Sequence, residues 1–490
     1  MPAQRLEIPQ LRGADVAAVP EGVPTDIVER LAAIRAELQV PPTFPAEVTA
    51  AAQAAARAPR LPALDRTDLE LITIDPPGSV DLDQALHIGR DGDGFVVSYA
   101  IADVGAFVAP GDPVDVESHR RGQTLYAPDH RTLLYPPELG EGAASLLPDQ
   151  ERPALLWTIR LGPHGRTLDA EVVRARVRSR RQLSYEAAQA DIDAPALGGA
   201  AGETLPLLKI VGQLREERER QRGGVSLETG EQEVQVAGDV WSLRFRAALP
   251  VEGWNAQISL LTGICAAHLM MYGQIGILRT LPPADQGALT RLHRTAKALG
   301  IPWPAELDYP EFVRSLDPSA PAHAAMINAC TRLFRGAGYQ AFSGGIPEQA
   351  EHAALAIDYA HVTAPLRRLA DRYAGEICVA LCADEPVPAW VRSALDALPA
   401  QMQSSDRRAK AYDRAIVDAV EALVLRPRLG EVFTGTVLEV DEKRRRGTIM
   451  ISDPAVEARI DGPDLPLGQP VRATLVSADV ATGAVRFAPA

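Results

Sequence analysis

The chain has 490 residues, 46% apolar and 23% charged, so it can bury a substantial core and is neither a small disulfide scaffold nor disordered throughout. A formal net charge of −14 excludes a protein that holds nucleic acid by overall basicity, though not one with a local basic channel. Cys265, Cys330, Cys378 and Cys382 show no Cys-x-x-Cys pair and read as reduced thiols, Met1 to Pro9 lacks a signal-peptide core, and no run of about 18 apolar residues occurs; a cytoplasmic protein with no membrane partner is expected.

Residues 1–64 are rich in Pro and Ala and carry two helical patterns, Thr25 to Leu38 and Pro45 to Ala56, the second opened by a proline in its first turn. This predicts a short helical region, helix-turn-helix-like in outline. From Leu69 the texture becomes strand-like: Leu69 to Asp75, Ala85 to Gly89, a turn at Asp91-Gly92-Asp93-Gly94, then Phe95 to Ile101. Between about 180 and 430 the pattern is mainly helical, interrupted by a strand pair at Glu231 to Gln235 and Trp241 to Ala247. The last 60 residues hold five short strands between turn residues, the pattern of a small OB-type barrel. The expected class is α+β: a helical N-terminal region at 1–64, a large mixed domain at 65–428 and an all-β OB-fold at 429–490.

Residues 61–160 hold 17 acidic and 7 basic residues, so most of the net negative charge is gathered there. Within this stretch Asp75 ends an apolar strand, Pro76-Pro77-Gly78 turns, and Asp81 and Asp83 alternate onto one face of the chain entering the next strand. Three carboxylates around a turn repel unless cations neutralise them, and hard oxygen ligands suit Mg²⁺ or Mn²⁺. Aspartate is also common in turns for local hydrogen-bonding reasons, so spacing alone leaves a metal site and a solvated acidic loop both open.

Thr73-Ile74-Asp75 followed by Asp81-Leu82-Asp83 resembles the signature of the ribonuclease II catalytic domain, shared by ribonuclease II, ribonuclease R and the eukaryotic Rrp/Dis3 exonucleases. Matching segments follow in order: Ile101-Ala102-Asp103-Val104, Arg121 to Tyr126, Leu134-Tyr135-Pro136, Ser145-Leu146, Arg152-Pro153-Ala154, Leu183 to Gln189, Ile264 to Ala267 and Tyr359 to Asp371. The resemblance covers about residues 66–425, and the closing barrel is similar to the OB-fold RNA-binding module that ends ribonuclease II.

The resemblance implies processive 3′ to 5′ hydrolysis of single-stranded RNA to 5′-mononucleotides by metal-activated water, with Mg²⁺ as cofactor and Mn²⁺ as an alternative. It implies Asp75, Asp81 and Asp83 as metal ligands, with Gln84 a neutral ligand where the family has a fourth aspartate. Asp83 and Arg367 become catalytic, Arg367 meeting the scissile phosphate with a forked guanidinium. Tyr126 matches a tyrosine lying against the 3′-terminal nucleotides. Asp413 falls where the family has a glutamate holding the terminal nucleotide, and Arg368 and Tyr359 join it as substrate-binding residues. Ala364 replaces a family serine.

A second reading, motivated by Gln84, Ala364 and Asp413, is an RNA-binding relative that has lost hydrolysis. A third, a hydrolase of small phosphoesters, is disfavoured by the appended barrel. His361 reads as a packing residue, and Arg178 to Arg181 and Lys443 to Arg446 as solvated basic runs, the second in a barrel hairpin suited to phosphate contact. Ribonuclease II carries two cold-shock modules before its catalytic domain, for which 64 helix-leaning residues leave no room; a wider entrance that admits structured RNA is therefore expected. Single-stranded RNA is the expected partner and a monomer the expected state.

Overall fold

The computed structural model describes residues 4–6, 24–194, 202–225, 231–237, 240–334 and 336–490. Two closed five-stranded barrels organise it. The first consists of Leu71–Asp75, Gln84–Asp91, Gly94–Ala102, Glu151–Leu161 and Thr167–Ser184, hydrogen-bonded in that order. Neighbours pair antiparallel until the last strand returns parallel to the first, setting Asp75 opposite Ser184. The strands are rich in Val, Ile, Leu and aromatic residues that fit a buried pleated surface, and Trp157, Tyr99, Ile72 and Ile159 are fully enclosed.

Helix Leu369–Cys382 packs against this barrel, and helix Pro250–Tyr272 packs against Leu369–Cys382 within the same buried cluster. A Cβ added to Gly375 would lie 2.7 Å from Leu155 of the barrel, and one added to Gly263 would lie 2.2 Å from the ring of Tyr359, so both contacts depend on the missing side chain.

The second barrel comprises Val432–Asp441, Arg446–Ile451, Val456–Asp461, Pro470–Asp479 and Ala484–Pro489, with the last strand inserted between the third and fourth. That is the strand order of an OB-fold. The 28-residue helix Leu398–Leu425 shares a buried cluster with this barrel and with the N-terminal helix Thr25–Glu37, through Ile27, Leu31, Ile416, Val420 and Val485.

The helices Thr25–Glu37 and Ala46–Arg57 form within two residues of their expected positions, and the last 60 residues form five strands as expected. Four features differ from expectation. Gln4–Leu6, in the region read as helical, is a strand that pairs parallel with Glu231–Ala237. Residues 113–121 form a helix capped by Asp112, whose side chain accepts from the Asp115 N–H. The strand Thr167–Ser184 runs into the stretch read as helical, and a further antiparallel pair, Ile275–Thr280 with Gly338–Ser343, interrupts it. Among the described residues no helix is long and apolar enough to cross a membrane.

Candidate active site

The site forms where the first strand ends. The strand Leu71–Asp75 delivers Asp75 to the barrel rim, and the following turn is held by Ser79, whose N–H and hydroxyl both donate to the Pro76 carbonyl. Leu82 is fully buried between Asp81 and Asp83 and anchors the segment by about 1.5–3 kcal/mol of apolar burial. Ser145 completes the anchorage: its hydroxyl donates to the Val80 carbonyl at 2.7 Å and accepts from the Leu82 N–H at 2.9 Å. Although Ser145 belongs to a recognised segment, its local sequence gives no sign of this role.

Asp83 is 1% exposed, and both its oxygens are engaged. Oδ1 accepts from the Leu366 N–H at 2.7 Å, and Oδ2 accepts from Nε of Arg367 at 2.6 Å. Burial pushes the Asp83 carboxyl up to about 7 against the pull of Arg367 and the Leu366 N–H. Burial works against the Arg367 cation too, but Asp83, Tyr126 and Asp81 outweigh it and hold the guanidinium well above its ordinary range. With 41% of its side chain exposed, Arg367 presents the rest of its fork outward.

Arg367 lies in a turn ahead of the helix Leu369–Cys382. Asp371 holds that turn from the helix's first residues: its carboxylate accepts from the Ala364 N–H and takes two bonds from Arg368. Arg368, expected to bind substrate, thus has its Nε and Nη2 engaged by a buried carboxylate. Tyr359, also expected to bind substrate, is 8% exposed and packs edge-on to His352 and His361. His361 is a packing residue as expected, its Nδ1 2.7 Å from the Tyr339 hydroxyl.

Gln84, expected as a neutral metal ligand, has both ends of its amide engaged within the chain. Its Oε1 accepts from the Tyr99 hydroxyl at 2.5 Å and its Nε2 donates to the Thr363 carbonyl at 2.7 Å. Strand alternation turns it away from Asp83, so it braces the barrel against the Arg367 turn. Neither Tyr99 nor Thr363 was visible as a partner: the first is brought up by strand pairing 15 positions on, and the second lies 279 positions away.

Tyr126 approaches because residues 122–126 run beside the Arg367 turn: the Thr124 N–H donates to the Arg367 carbonyl and the Leu369 N–H to the Gly122 carbonyl. Its hydroxyl donates to Oδ2 of Asp81 at 2.9 Å. Burial, then the Asp81 charge, raise the phenol well above its ordinary range, so it remains a donor. Asp75, Asp81, Asp83, Tyr126 and Arg367 thus form one electrostatically coupled group. Asp413 lies on the helix Leu398–Leu425 without an ion pair among the described residues, and burial pushes its carboxyl up to about 6.

Among the described residues no three carboxylate, histidine or cysteine groups converge tightly enough to hold a metal by themselves. The donor set still fits Mg²⁺, which needs only one or two carboxylates beside water and substrate phosphate. Among the described residues the buried Oδ2 of Asp75 finds no hydrogen-bond partner, and burial, with Asp81 nearby, pushes that carboxyl up to about 6 despite Arg367. An orphaned carboxylate oxygen beside a second carboxylate is relieved by a hard cation. Each oxygen of Asp83 also keeps a lone pair beyond its present bond.

Asp75, Asp81, Asp83, Tyr126 and Arg367 all fall within a span that matches a known family. The RNB domain family matches residues 64–382, and the RNase II-type exonuclease C-terminal S1 domain matches residues 431–490. The chain is 27% identical over 380 residues to exosome complex exonuclease RRP44 homolog A of Arabidopsis thaliana, covering 74% of this chain and 40% of that protein. Across four exosome exonucleases of this kind the match spans 33 to 40% of their lengths. Mycoplasma genitalium RNase R in complex with ribose-methylated single-stranded RNA is similar in fold, with a TM-score of 0.85 at 18% identity over 95% of this chain and 78% of that one. Yeast Ssd1, described as a pseudonuclease, is similar with a TM-score of 0.67 at 17% identity over 86% of this chain and 53% of that one.

Proposed function

This chain belongs to the RNB family, and on that premise we propose that it is a divalent-metal-dependent exoribonuclease that shortens single-stranded RNA from the 3′ end to 5′-mononucleotides. The observation that carries the reading is the Asp83–Arg367 pair beside the unpartnered oxygen of Asp75, which puts a fixed cation next to a place for a mobile one. Asp75 and Asp81 would hold Mg²⁺, or Mn²⁺ in its place, with Asp83 sharing its remaining lone pairs. A bound ion of this kind supplies an acidified water and charge for the leaving oxygen.

The chain's own residues do the rest. Asp83 fixes Arg367, whose exposed fork balances charge gathering on the phosphate oxygens. Leu366 and Asp371 keep the turn from shifting, so that charge is preorganised. Tyr126 anchors Asp81 through its hydroxyl and offers its ring to the terminal nucleotides, a sequence-tolerant contact. Asp413, free of ion pairs, accepts from the terminal ribose. The division at 64/65 and 428/429 assigns the closing barrel to RNA binding. The helical N-terminal region supports the further reading that structured RNA is admitted, so a hairpin with a short 3′ overhang is shortened into its stem.

The test is a 5′-labelled oligo(A) with Mg²⁺: a ladder of shortened products supports the exonuclease. A mobility shift with intact RNA supports the second reading, an RNA-binding relative without hydrolysis, which the likeness to a pseudonuclease fold keeps in view.

A further inference from the structure

The helix Thr25–Glu37 lies outside the residues that either family matches, yet it reaches the hairpin that carries Tyr126. That hairpin pairs Leu125 with Thr132 and Tyr126 with Arg131, and it is closed by reciprocal backbone bonds between Ala127 and His130. Asp129 sits in its turn. Arg35 meets Asp129 fork to fork, Nη1 and Nη2 each 3.0 Å from a different carboxylate oxygen. Leu125 and Ala127 are buried in the same cluster as Ile27, Leu31 and Ile34 of that helix.

From this geometry we propose that Arg35 and Asp129 are positioning residues for the 3′ end of RNA: the N-terminal helix clamps the hairpin so that Tyr126 stands against Asp81 and the terminal nucleotide. The inference rests on the nuclease reading for what Tyr126 touches. Apart from that pair and the apolar cluster, which also takes in the helix Leu398–Leu425, the hairpin is held among the described residues through the Tyr126–Asp81 bond, the Arg131–Glu141 pair at 3.0 Å and the backbone beside Arg367. Those three contacts all lie toward the site. A two-bond guanidinium–carboxylate pair supplies orientation as well as attraction, which a single apolar contact does not. The same helix offers its own control. Asp26, near its first turn, pairs with Arg426 beyond the helix Leu398–Leu425, a docking contact remote in sequence from the hairpin.

The experiment compares Arg35→Ala, Asp129→Asn and the exchange Arg35→Asp with Asp129→Arg against the control Asp26→Ala. On short oligo(A), Arg35→Ala and Asp129→Asn should each lower kcat ~10-fold with KM within ~3-fold, as expected for a misplaced reacting end. The exchange should restore kcat to within ~3-fold of the parent, while Asp26→Ala leaves it unchanged despite a similar loss of Tm. A second readout needs no hydrolysis: in an Asp83→Asn background, quenching of a 3′-terminal 2-aminopurine should weaken with Arg35→Ala and persist with Asp26→Ala. Equal kcat losses in Arg35→Ala and Asp26→Ala, or an exchange that fails to restore kcat, would overturn the proposal. If the parent leaves RNA uncut, the nuclease reading falls, and the quenching comparison alone decides this one: unequal quenching supports the clamp and equal quenching overturns it.

Discussion

Arg367 donates from Nε to Oδ2 of Asp83 at 2.6 Å, joining residues 284 positions apart in the chain. The acceptor is buried and the donor half open, so one bond ties the inside of the barrel rim to the surface where a phosphate would lie. Charge placed this way needs no reorganisation when a phosphate arrives.

Arg367→Lys should keep a positive charge but lose the fork that meets Asp83 and phosphate together. We expect kcat to fall about 100-fold with a smaller change in RNA affinity, read by single-turnover kinetics and anisotropy. Arg367→Ala should in addition cost about 2 kcal/mol of stability, less than for a fully buried pair because the arginine is partly exposed. Equal kinetics for Lys and Arg would mean that only net charge matters.

Ser145→Ala removes the hydroxyl that spans Val80 and Leu82 and leaves the buried Leu82 N–H unsatisfied. The expected cost is about 1–3 kcal/mol in denaturant unfolding, with slower hydrolysis because Asp81 and Asp83 lose their common anchor. An unchanged midpoint and rate would show that Leu82 burial suffices.

Gln84→Asp offers a direct check of the brace. A carboxylate cannot donate to the Thr363 carbonyl, and it would face that oxygen with like charge, so the variant should lose stability without any lowering of the Mg²⁺ concentration for half-maximal rate. A leftward shift of the metal titration would instead place position 84 among the metal ligands.

What was legible in the sequence follows from the range of the forces involved. The closing barrel could be read because its strands are short and each is bounded by turn residues such as Gly468 and Gly483. The first barrel was obscured. Glu151–Leu161 is a nearly continuous apolar run without a clear period. Thr167–Ser184 was masked by arginines that looked like a solvated run. Their alternation was the available signal: Arg174, Arg176, Arg178 and Arg180 occupy every second position, and they meet Asp103 and Glu376, Asp65 and Glu151, Glu151, and the Thr67 carbonyl. Part of the acidic excess at 61–160 therefore neutralises this strand instead of a metal. The site aspartates were visible because they cluster within nine residues of sequence; the uses of Gln84, Arg368 and Tyr359 depend on partners that only the folded chain supplies.

Glu421 gives a pH dependence of known sign. It is 4% exposed on the helix Leu398–Leu425, where it accepts from Gln232 and the Glu457 N–H, and burial pushes it up to about 8. Its unfolded carboxyl ionises near 4.5. Between these values the folded chain binds more protons than the unfolded one, so this residue makes stability fall as pH rises from about 4.5 to about 8; outside that window it contributes no slope. Glu421→Gln should flatten the decline in urea midpoint across the window. Parallel parent and variant curves would mean that Glu421 is not held protonated.

The most direct test of the nuclease account is Asp83→Asn against the parent on 5′-labelled oligo(A) with Mg²⁺, with hydrolysis and binding measured on the same samples. The account predicts a ladder from the parent, and in the variant a loss of about 1,000-fold in single-turnover rate with RNA affinity within about threefold. Turnover in the variant within about tenfold of the parent, a difference of only ~1.4 kcal/mol, would contradict it.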